Sequence, residues 1–263
     1  MATTIDLDGK VVIVTGSSAG IGLAIALDVA RAGAQVVLHG TRADRLRQAA
    51  SDIGEQQVTW LAADIGDPDT PQKLVDLAVS RFGKLDGVVN NAGVTTRCSI
   101  NTLDAPTFDR IIAINLRGPM ILSQAAVRQF RAQRSAGSIV NIGSINAYTG
   151  QPDLLVYAVS KGGLMTMTRN LADALAPEKI RVNQLNVGWT LTDNEHQTQL
   201  KAGRPENWLE LVPEAFAPSG TILRPEEIAP HAVFWLSDIS APVSGAVFEV
   251  EQYPVIGRNK IAG

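Results

Sequence analysis

Tyr157 and Lys161 stand four residues apart in the run Tyr-Ala-Val-Ser-Lys-Gly-Gly, and Ser144 lies thirteen positions before the tyrosine. On a helix, a spacing of four puts two side chains on one face, about 6 Å apart along the axis. A free phenol ionises near pH 10 (about) and is a weak base at neutrality. An ammonium beside it favours the phenolate, which makes the hydroxyl a usable proton donor and acceptor. Taken alone, the pair reads more readily as a solvated surface pair, so its partners elsewhere in the chain decide the matter.

The first partner is a glycine turn, Thr15-Gly16-Ser17-Ser18-Ala19-Gly20-Ile21-Gly22, placed between an apolar run and an amphipathic segment. A strand leading through such a turn into a helix lets the backbone approach a pyrophosphate at the positive end of the helix dipole. Its GxxxGxG spacing differs from the general GxGxxG fingerprint, and the strand context strengthens it. The next strand ends in Leu38-His39-Gly40-Thr41-Arg42, with no acid before Asp44. A carboxylate there would favour NAD by binding both ribose hydroxyls. Arg42, with Thr41, instead suits a 2′-phosphate, so NADP is favoured and NAD remains an alternative; Arg42 can also be a solvated residue opening the next helix.

The chain has 263 residues, 45% of them hydrophobic, enough for one large α/β domain that buries roughly three quarters of its unfolded surface. With 23 basic and 26 acidic residues the net charge is −3, and no basic cluster follows a phosphate backbone or an anionic lipid surface. Nucleic acid and membrane partners are not expected. Cys98 is the single cysteine and the three histidines are scattered, so neither an internal disulfide nor a metal site is expected. Cys98 reads as a small, inert side chain. The first apolar run is four residues long and enters the glycine turn, unlike a signal peptide, and no run is long enough to span a membrane. The expectation is a cytoplasmic protein.

These residues need a scaffold. Strands are expected at Lys10–Thr15, Gln35–Gly40, Val58–Ala63, Gly87–Asn90, Ser138–Ile142, Arg181–Leu185 and Ala246–Val250, alternating with helical segments such as Ile21–Ala32, which Gly33 stops. Asp67-Pro68 reads as a cap followed by a first-turn proline. The expected architecture is a single-domain, Rossmann-like α/β fold over residues 1–263, a doubly wound parallel sheet of about seven strands with helices on both faces. Between Trp189 and Arg224 the strand periodicity disappears; a loop of that length after a strand suggests a substrate lid.

The set of motifs resembles the short-chain dehydrogenase/reductase family, in its shorter-chain branch. The likeness runs from about Lys10 to Val250 and rests on Thr15 to Gly22, Asn90-Asn91-Ala92-Gly93, Asn115, Ser144, Tyr157 and Lys161 in that order. It implies an NAD(P)-dependent interconversion of a secondary alcohol and a ketone by hydride transfer. It also implies that Tyr157 handles the proton, Ser144 binds the reacting oxygen, Lys161 lowers the tyrosine pKa and holds the nicotinamide ribose, and Asn115 positions a water. Cofactor contacts are implied for Gly16, Ser18, Gly20, Ile21, Gly22, Asp64 and Ile65 by the adenine, Asn91, Ala92 and Gly93 along the cleft, and Gly188, Thr190 and Thr192 at the carboxamide. Read as residues alone, Asn90 to Gly93 could be a strand-ending turn, Ser144 a helix cap and Asn115 a buried structural amide.

Two departures stand out: Val187 replaces a common proline, and Val250-Glu251-Gln252-Tyr253 replaces a common aspartate with two glycines. Asn146, Tyr148, Gln151 and Trp189, with His196 as a further candidate, suit a hydroxylated substrate such as a sugar or polyol. Alternative functions are a non-catalytic NAD(P)-binding regulatory protein and, within the family, a 3-oxoacyl reductase. The length and glycine spacing argue against the epimerases of the longer branch, and the Tyr–Lys spacing against enoyl reductases. A homo-oligomer, a tetramer by resemblance, is expected.

Overall fold

Alternate residues of the first strand face opposite ways: Val12 and Val14 join one apolar cluster, Val11 and Ile13 the other. A strand with helices packed on both sides of its sheet requires this period-two division. The structure is a computed structural model describing residues 5–256; the ends of the expected single domain, 1–4 and 257–263, lie outside the described residues.

In chain order the elements are β1 (Val11–Val14), α1 (Gly20–Arg31), β2 (Gln35–Gly40), α2 (Ala43–Ile53), β3 (Val58–Ala62), α3 (Thr70–Phe82), β4 (Gly87–Asn90) and α4 (Ala105–Ile112), then α5 (Gly118–Ala132), β5 (Gly137–Ser144), α6 (Leu155–Leu175), β6 (Ile180–Val187), α7 (Asp193–Lys201), α8 (Pro225–Leu236) and β7 (Val247–Val250). The seven described strands form one parallel sheet in the order β3-β2-β1-β4-β5-β6-β7. Helices α1, α2 and α8 cover one face and α3, α5 and α6 the other. This is the expected doubly wound, single-domain α/β architecture. Strand order reverses between β1 and β4, and the crevice at their carboxyl ends is where such sheets bind ligands.

Three local expectations are corrected. Strands β5 and β6 pair through eight positions, from Gly137 opposite Ile180 to Ser144 opposite Val187, well beyond the expected 138–142 and 181–185. Their ends carry Gly143 and Asn186, which break the apolar pattern yet are buried. Helix α3 starts at Thr70 with Pro71 in its first turn, whereas Asp67 and Pro68 belong to the preceding turn, in which the Asp67 carboxylate accepts the Asp69 N–H at 3.0 Å.

The segment 189–224 is ordered rather than an irregular loop. It holds α7 and a 3-10 turn at Trp208–Leu211, gathered around buried Trp208, Ala217 and Ile222. Its ends are clasped by Leu191 N–H to Leu223 O at 2.7 Å and Leu223 N–H to Trp189 O at 3.0 Å. A short apolar cluster built from residues scattered in sequence has no period to read, which is why the order was not expected. Among the described residues, no helix is long and apolar enough to cross a membrane.

Candidate active site

The glycine turn leaves β1 with Gly16 at φ +67° and Gly20 at φ +56°, conformations that favour glycine. A Cβ on Gly22 would overlap the Asn91 side chain and the Gly16 carbonyl, because the segment after β4 is strapped across the turn. Asn91 Nδ2 donates to Thr15 O at 2.9 Å, and the Asn91 and Ala92 N–H groups donate to Thr15 Oγ1 at 3.0 and 3.1 Å. A second fastening comes from β2: Ser17 N–H donates to His39 O at 2.8 Å and His39 N–H to Ser17 Oγ at 2.9 Å. Burial lowers the His39 imidazole to about 4, so it is neutral at pH 7 and its Nδ1 can accept the Gly16 N–H at 3.4 Å. Ser18 lies against Gly40, whose added Cβ would come within 2.9 Å of the serine hydroxyl.

Helix α1 begins at this turn with no side-chain cap and no acidic residue in its first turn. Its leading N–H groups and positive dipole end fit an anion such as a pyrophosphate. Ile21 is only partly buried against the core. After β3, Gly66 N–H and Arg110 Nη1 donate to Asp64 at 2.8 and 2.5 Å. Partial burial raises the Asp64 carboxyl, but the Arg110 hydrogen bond and charge and the Gly66 N–H together hold it below the ordinary value. Ile65 buries its side chain in the core cluster that also holds Val11, Leu74 and Leu122. Arg42 is exposed at the start of α2, and none of the described hydrogen bonds or ion pairs engages its guanidinium.

Ser144 ends β5, and Tyr157 and Lys161 occupy the first two turns of α6. Ser144 Oγ accepts the Asn146 N–H at 3.2 Å. Lys161, 5% exposed, donates to Ile142 O at 2.8 Å and lies 5.7 Å from the Tyr157 ring centroid. Desolvation lowers its ammonium to about 8. Burial raises the Tyr157 phenol; a hydrogen bond with Ser144 acts against that rise and the Glu195 charge adds to it. Lys161 is not among the causes of that rise: its ammonium stands over the ring and donates to a strand carbonyl, and burial dominates the phenol.

Asn115 is fully buried in a π-helical segment, Ala113–Arg117, between α4 and α5. Its amide accepts from Val94 N–H at 2.9 Å and donates to Val94 O at 2.9 Å and Ser160 Oγ at 3.1 Å. The side chain thus fixes the backbone just past Gly93. A Cβ on Gly93 would lie 3.5 Å from Asn115 Oδ1 and 3.7 Å from Lys161 Nζ, so β4, the π segment and α6 converge at that glycine. The lysine ammonium has one described acceptor for three N–H donors and is buried, which fits ribose hydroxyls as its remaining partners.

Val187 does not loosen the segment after β6; it stays in the sheet, between Ser144 and Val250. The Glu251 carboxylate packs on Gly188, where any Cβ would overlap it, and accepts the Trp189 N–H at 3.2 Å. Thr190 Oγ1 donates to Gly188 O at 3.1 Å. Thr192 caps α7 by accepting the Glu195 N–H at 3.0 Å, and its methyl faces Gly20, 3.1 Å from where a Cβ would stand.

Asn146 and Tyr148 are half-buried on the turn beyond Ser144, whereas Gln151 is exposed. Trp189 is half-buried and donates its indole N–H to Glu195 Oε1 at 2.8 Å. His196 is tied up structurally, its Nδ1 accepting from Trp208 at 3.0 Å. Sequence reasoning missed Ser17, His39 and Glu195. It also missed a buried amide chain beneath the site: Asn90 donates to Asn141 at 2.8 Å, Asn141 to Thr168 at 2.8 Å, Thr168 to Gln184 at 3.0 Å and Gln184 to Asn186 at 2.7 Å. The available signal was the polar residues inside otherwise apolar strands.

A strand-turn-helix unit with free N–H groups, a strap across it, and a serine, a tyrosine and a buried lysine on β5 and α6 have the chemistry to suit a dinucleotide and a small oxygenated molecule. The family model described as short chain dehydrogenase matches residues 10–203. The chain is 34% identical over 251 residues to L-rhamnose-1-dehydrogenase of Scheffersomyces stipitis, covering 93% of this chain and 95% of that one. It is 35% identical over 245 residues to cis-4-hydroxycyclohexanecarboxylate dehydrogenase of Sinomonas cyclohexanicum, covering 92% and 95%. An L-rhamnose 1-dehydrogenase (NAD(P)(+)) of a Sphingomonas species is 33% identical over 249 residues, covering 93% and 96%. The chain belongs to the short chain dehydrogenase family and is an alcohol oxidoreductase.

Proposed function

We propose that this protein interconverts a secondary alcohol and a ketone on a polyhydroxylated small molecule, a sugar or polyol, with NADP preferred over NAD. The observation that carries the reading is the buried Lys161 ammonium, 5.7 Å from the Tyr157 ring centroid and bonded to Ile142 O of β5, the strand that ends in Ser144. The names of the relatives, two of them rhamnose dehydrogenases, support the substrate class. The exposed, unengaged Arg42 supports a contact to a 2′-phosphate.

The bound nicotinamide would supply the hydride donor or acceptor. Tyr157 would hold the proton exchanged with the substrate oxygen, and Ser144 would donate a hydrogen bond to that oxygen and orient it. Burial keeps the phenol protonated, which suits proton donation to a carbonyl oxygen. Lys161 would bind the nicotinamide ribose. Asn115 would hold the Val94 backbone and position a water on the proton path.

Gly16, Ser18, Gly20, Ile21 and Gly22 would hold the pyrophosphate and adenosine ribose, and Asp64 with the Ile65 backbone the adenine. Asn91, Ala92 and Gly93 would line the cleft, and Gly188, Thr190 and Thr192 the carboxamide. Asn146, Tyr148, Gln151 and Trp189 would border the substrate under a lid formed by 189–224.

A homotetramer in the cytoplasm completes the reading; exposed Phe108, Met120 and Val159 on α4, α5 and α6 support subunit contacts, and sedimentation measures the state. Initial rates over sugars, polyols, hydroxy acids, steroids and acyl ketones with both cofactors test the function. Sugars or polyols with NADP should give the highest kcat/KM; a strong preference for an apolar steroid contradicts the substrate class.

A further inference from the structure

Helix α7 opens with Thr192-Asp193-Asn194-Glu195, the pattern of a capping box, in which a glutamate at the third helical position returns a hydrogen bond to the cap residue. Only half of that box forms. Thr192 Oγ1 accepts the Glu195 N–H at 3.0 Å, but the Glu195 carboxylate turns away to Trp189, the residue that follows Gly188 at the carboxyl end of β6. Its Oε1 accepts the Trp189 indole N–H at 2.8 Å and the Gln199 amide as well. Oε2 receives none of the described hydrogen bonds.

The platform beneath this carboxylate is built to hold still. Gln199 is 5% exposed and Trp208 fully buried. Trp189 stacks on Trp208 with ring centroids 5.6 Å apart, and the Arg204 guanidinium lies 5.5 and 5.8 Å from the two rings. Trp208 is in turn fastened to His196 at 3.0 Å. Glu195 itself is half-buried, so its carboxylate keeps some exposure while Oε1 is held by Trp189 and Gln199. Trp189 stands two residues beyond Val187, which pairs with Ser144 across β5 and β6, so the carboxylate it holds lies at the same sheet edge as the serine; the rise that the Glu195 charge adds to the Tyr157 phenol agrees with that placement.

We propose that Glu195 is a specificity residue whose free Oε2 accepts a hydrogen bond from a hydroxyl next to the reacting carbinol, so that vicinal diols are selected and hydroxy acids rejected. This rests on the polyol reading above and adds the group that enforces it. An ionised carboxylate accepts from hydroxyls and repels a substrate carboxylate, and its oxygen is pre-aimed by two neutral donors on the other oxygen. A charge-assisted hydrogen bond of this kind is worth roughly tenfold to more than a hundredfold in selectivity.

The test compares a vicinal diol from the polyol panel with its analogue lacking the neighbouring hydroxyl, and with a 2-hydroxy acid, using wild type, Glu195→Gln and Glu195→Asp. Wild type should favour the diol over the mono-alcohol by at least tenfold in kcat/KM. Glu195→Gln should lower that ratio by roughly tenfold or more, mainly through KM for the diol, and raise the hydroxy-acid to diol ratio. Glu195→Asp, charged but a methylene shorter, should fall between them. Cofactor affinity, read by quenching of tryptophan fluorescence, should change less than the diol ratio and reports that each variant is folded. A wild type that fails to separate diol from mono-alcohol overturns the polyol reading together with this one. A selective wild type whose Glu195→Gln variant keeps the same ratios overturns the assignment of Glu195 alone, and an equal loss on diol and mono-alcohol does the same.

Discussion

Replacing Lys161 with methionine should make the ligand-free protein more stable at pH 7 while removing the cation beside Tyr157. The wild-type ammonium is buried, and desolvation lowers it from 10.5 to about 8 in the folded chain. At about 1.36 kcal/mol for each pKa unit, that lowering costs the fold roughly 3 kcal/mol while the lysine is charged. The folded value lies below the unfolded one, so between pH 8 and 10.5 the unfolded chain binds more protons. Stability therefore rises with pH across that window, and the full cost is present below it. Methionine fills a similar volume but forgoes the N–H donated to Ile142 O at 2.8 Å, a loss of about 1 kcal/mol. The net gain at pH 7 is roughly 2 kcal/mol, and it should vanish by about pH 10 as the wild-type lysine discharges. Urea unfolding of both proteins at one protein concentration and at the two pH values measures this. A variant less stable than wild type at pH 7, or a difference that does not change with pH, refutes the buried-charge reasoning.

Gly22→Ala should drive the Asn91 strap off the glycine turn, lowering stability by about 1–3 kcal/mol and cofactor affinity by roughly tenfold or more, because both faces of the cradle shift; thermal unfolding and fluorescence titration follow the two effects, and unchanged affinity would show that the strap does not shape the cradle. Arg42→Ala should raise the KM for NADP by roughly tenfold or more and leave NAD nearly untouched, from the loss of one charge-assisted contact. Equal effects on the two cofactors count against a phosphate contact.

The sheet and its order of motifs were legible because each strand and turn announces itself within a few residues: Val11 to Val14 alternate between two cores, and Gly16 and Gly20 of the turn sit where φ is positive. What could not be read depends on contacts between residues far apart in sequence. The Ser17–His39 fastening joins positions 22 apart, and the clasp of Trp189 and Leu191 on Leu223 closes the segment 189–224 into an ordered unit. The amide chain from Asn90 to Asn186 looks like a set of strand breakers until the sheet pairs those residues face to face. Spacing placed Tyr157 and Lys161 on one helix face but could not orient the ammonium, which donates to the Ile142 carbonyl. Glu195 was hidden for a similar reason: a capping pattern predicts its carboxylate at the helix end, and only the position of Trp189 reveals where it goes.

Tyr157→Phe probes the proposed proton transfer most directly, since it removes one oxygen and keeps the ring against Lys161. With the preferred alcohol and cofactor at saturation, kcat should fall by about 10²-fold or more, while cofactor binding by fluorescence titration changes little. Turnover within a few-fold of wild type, with cofactor still bound, would contradict the assignment of the proton to Tyr157.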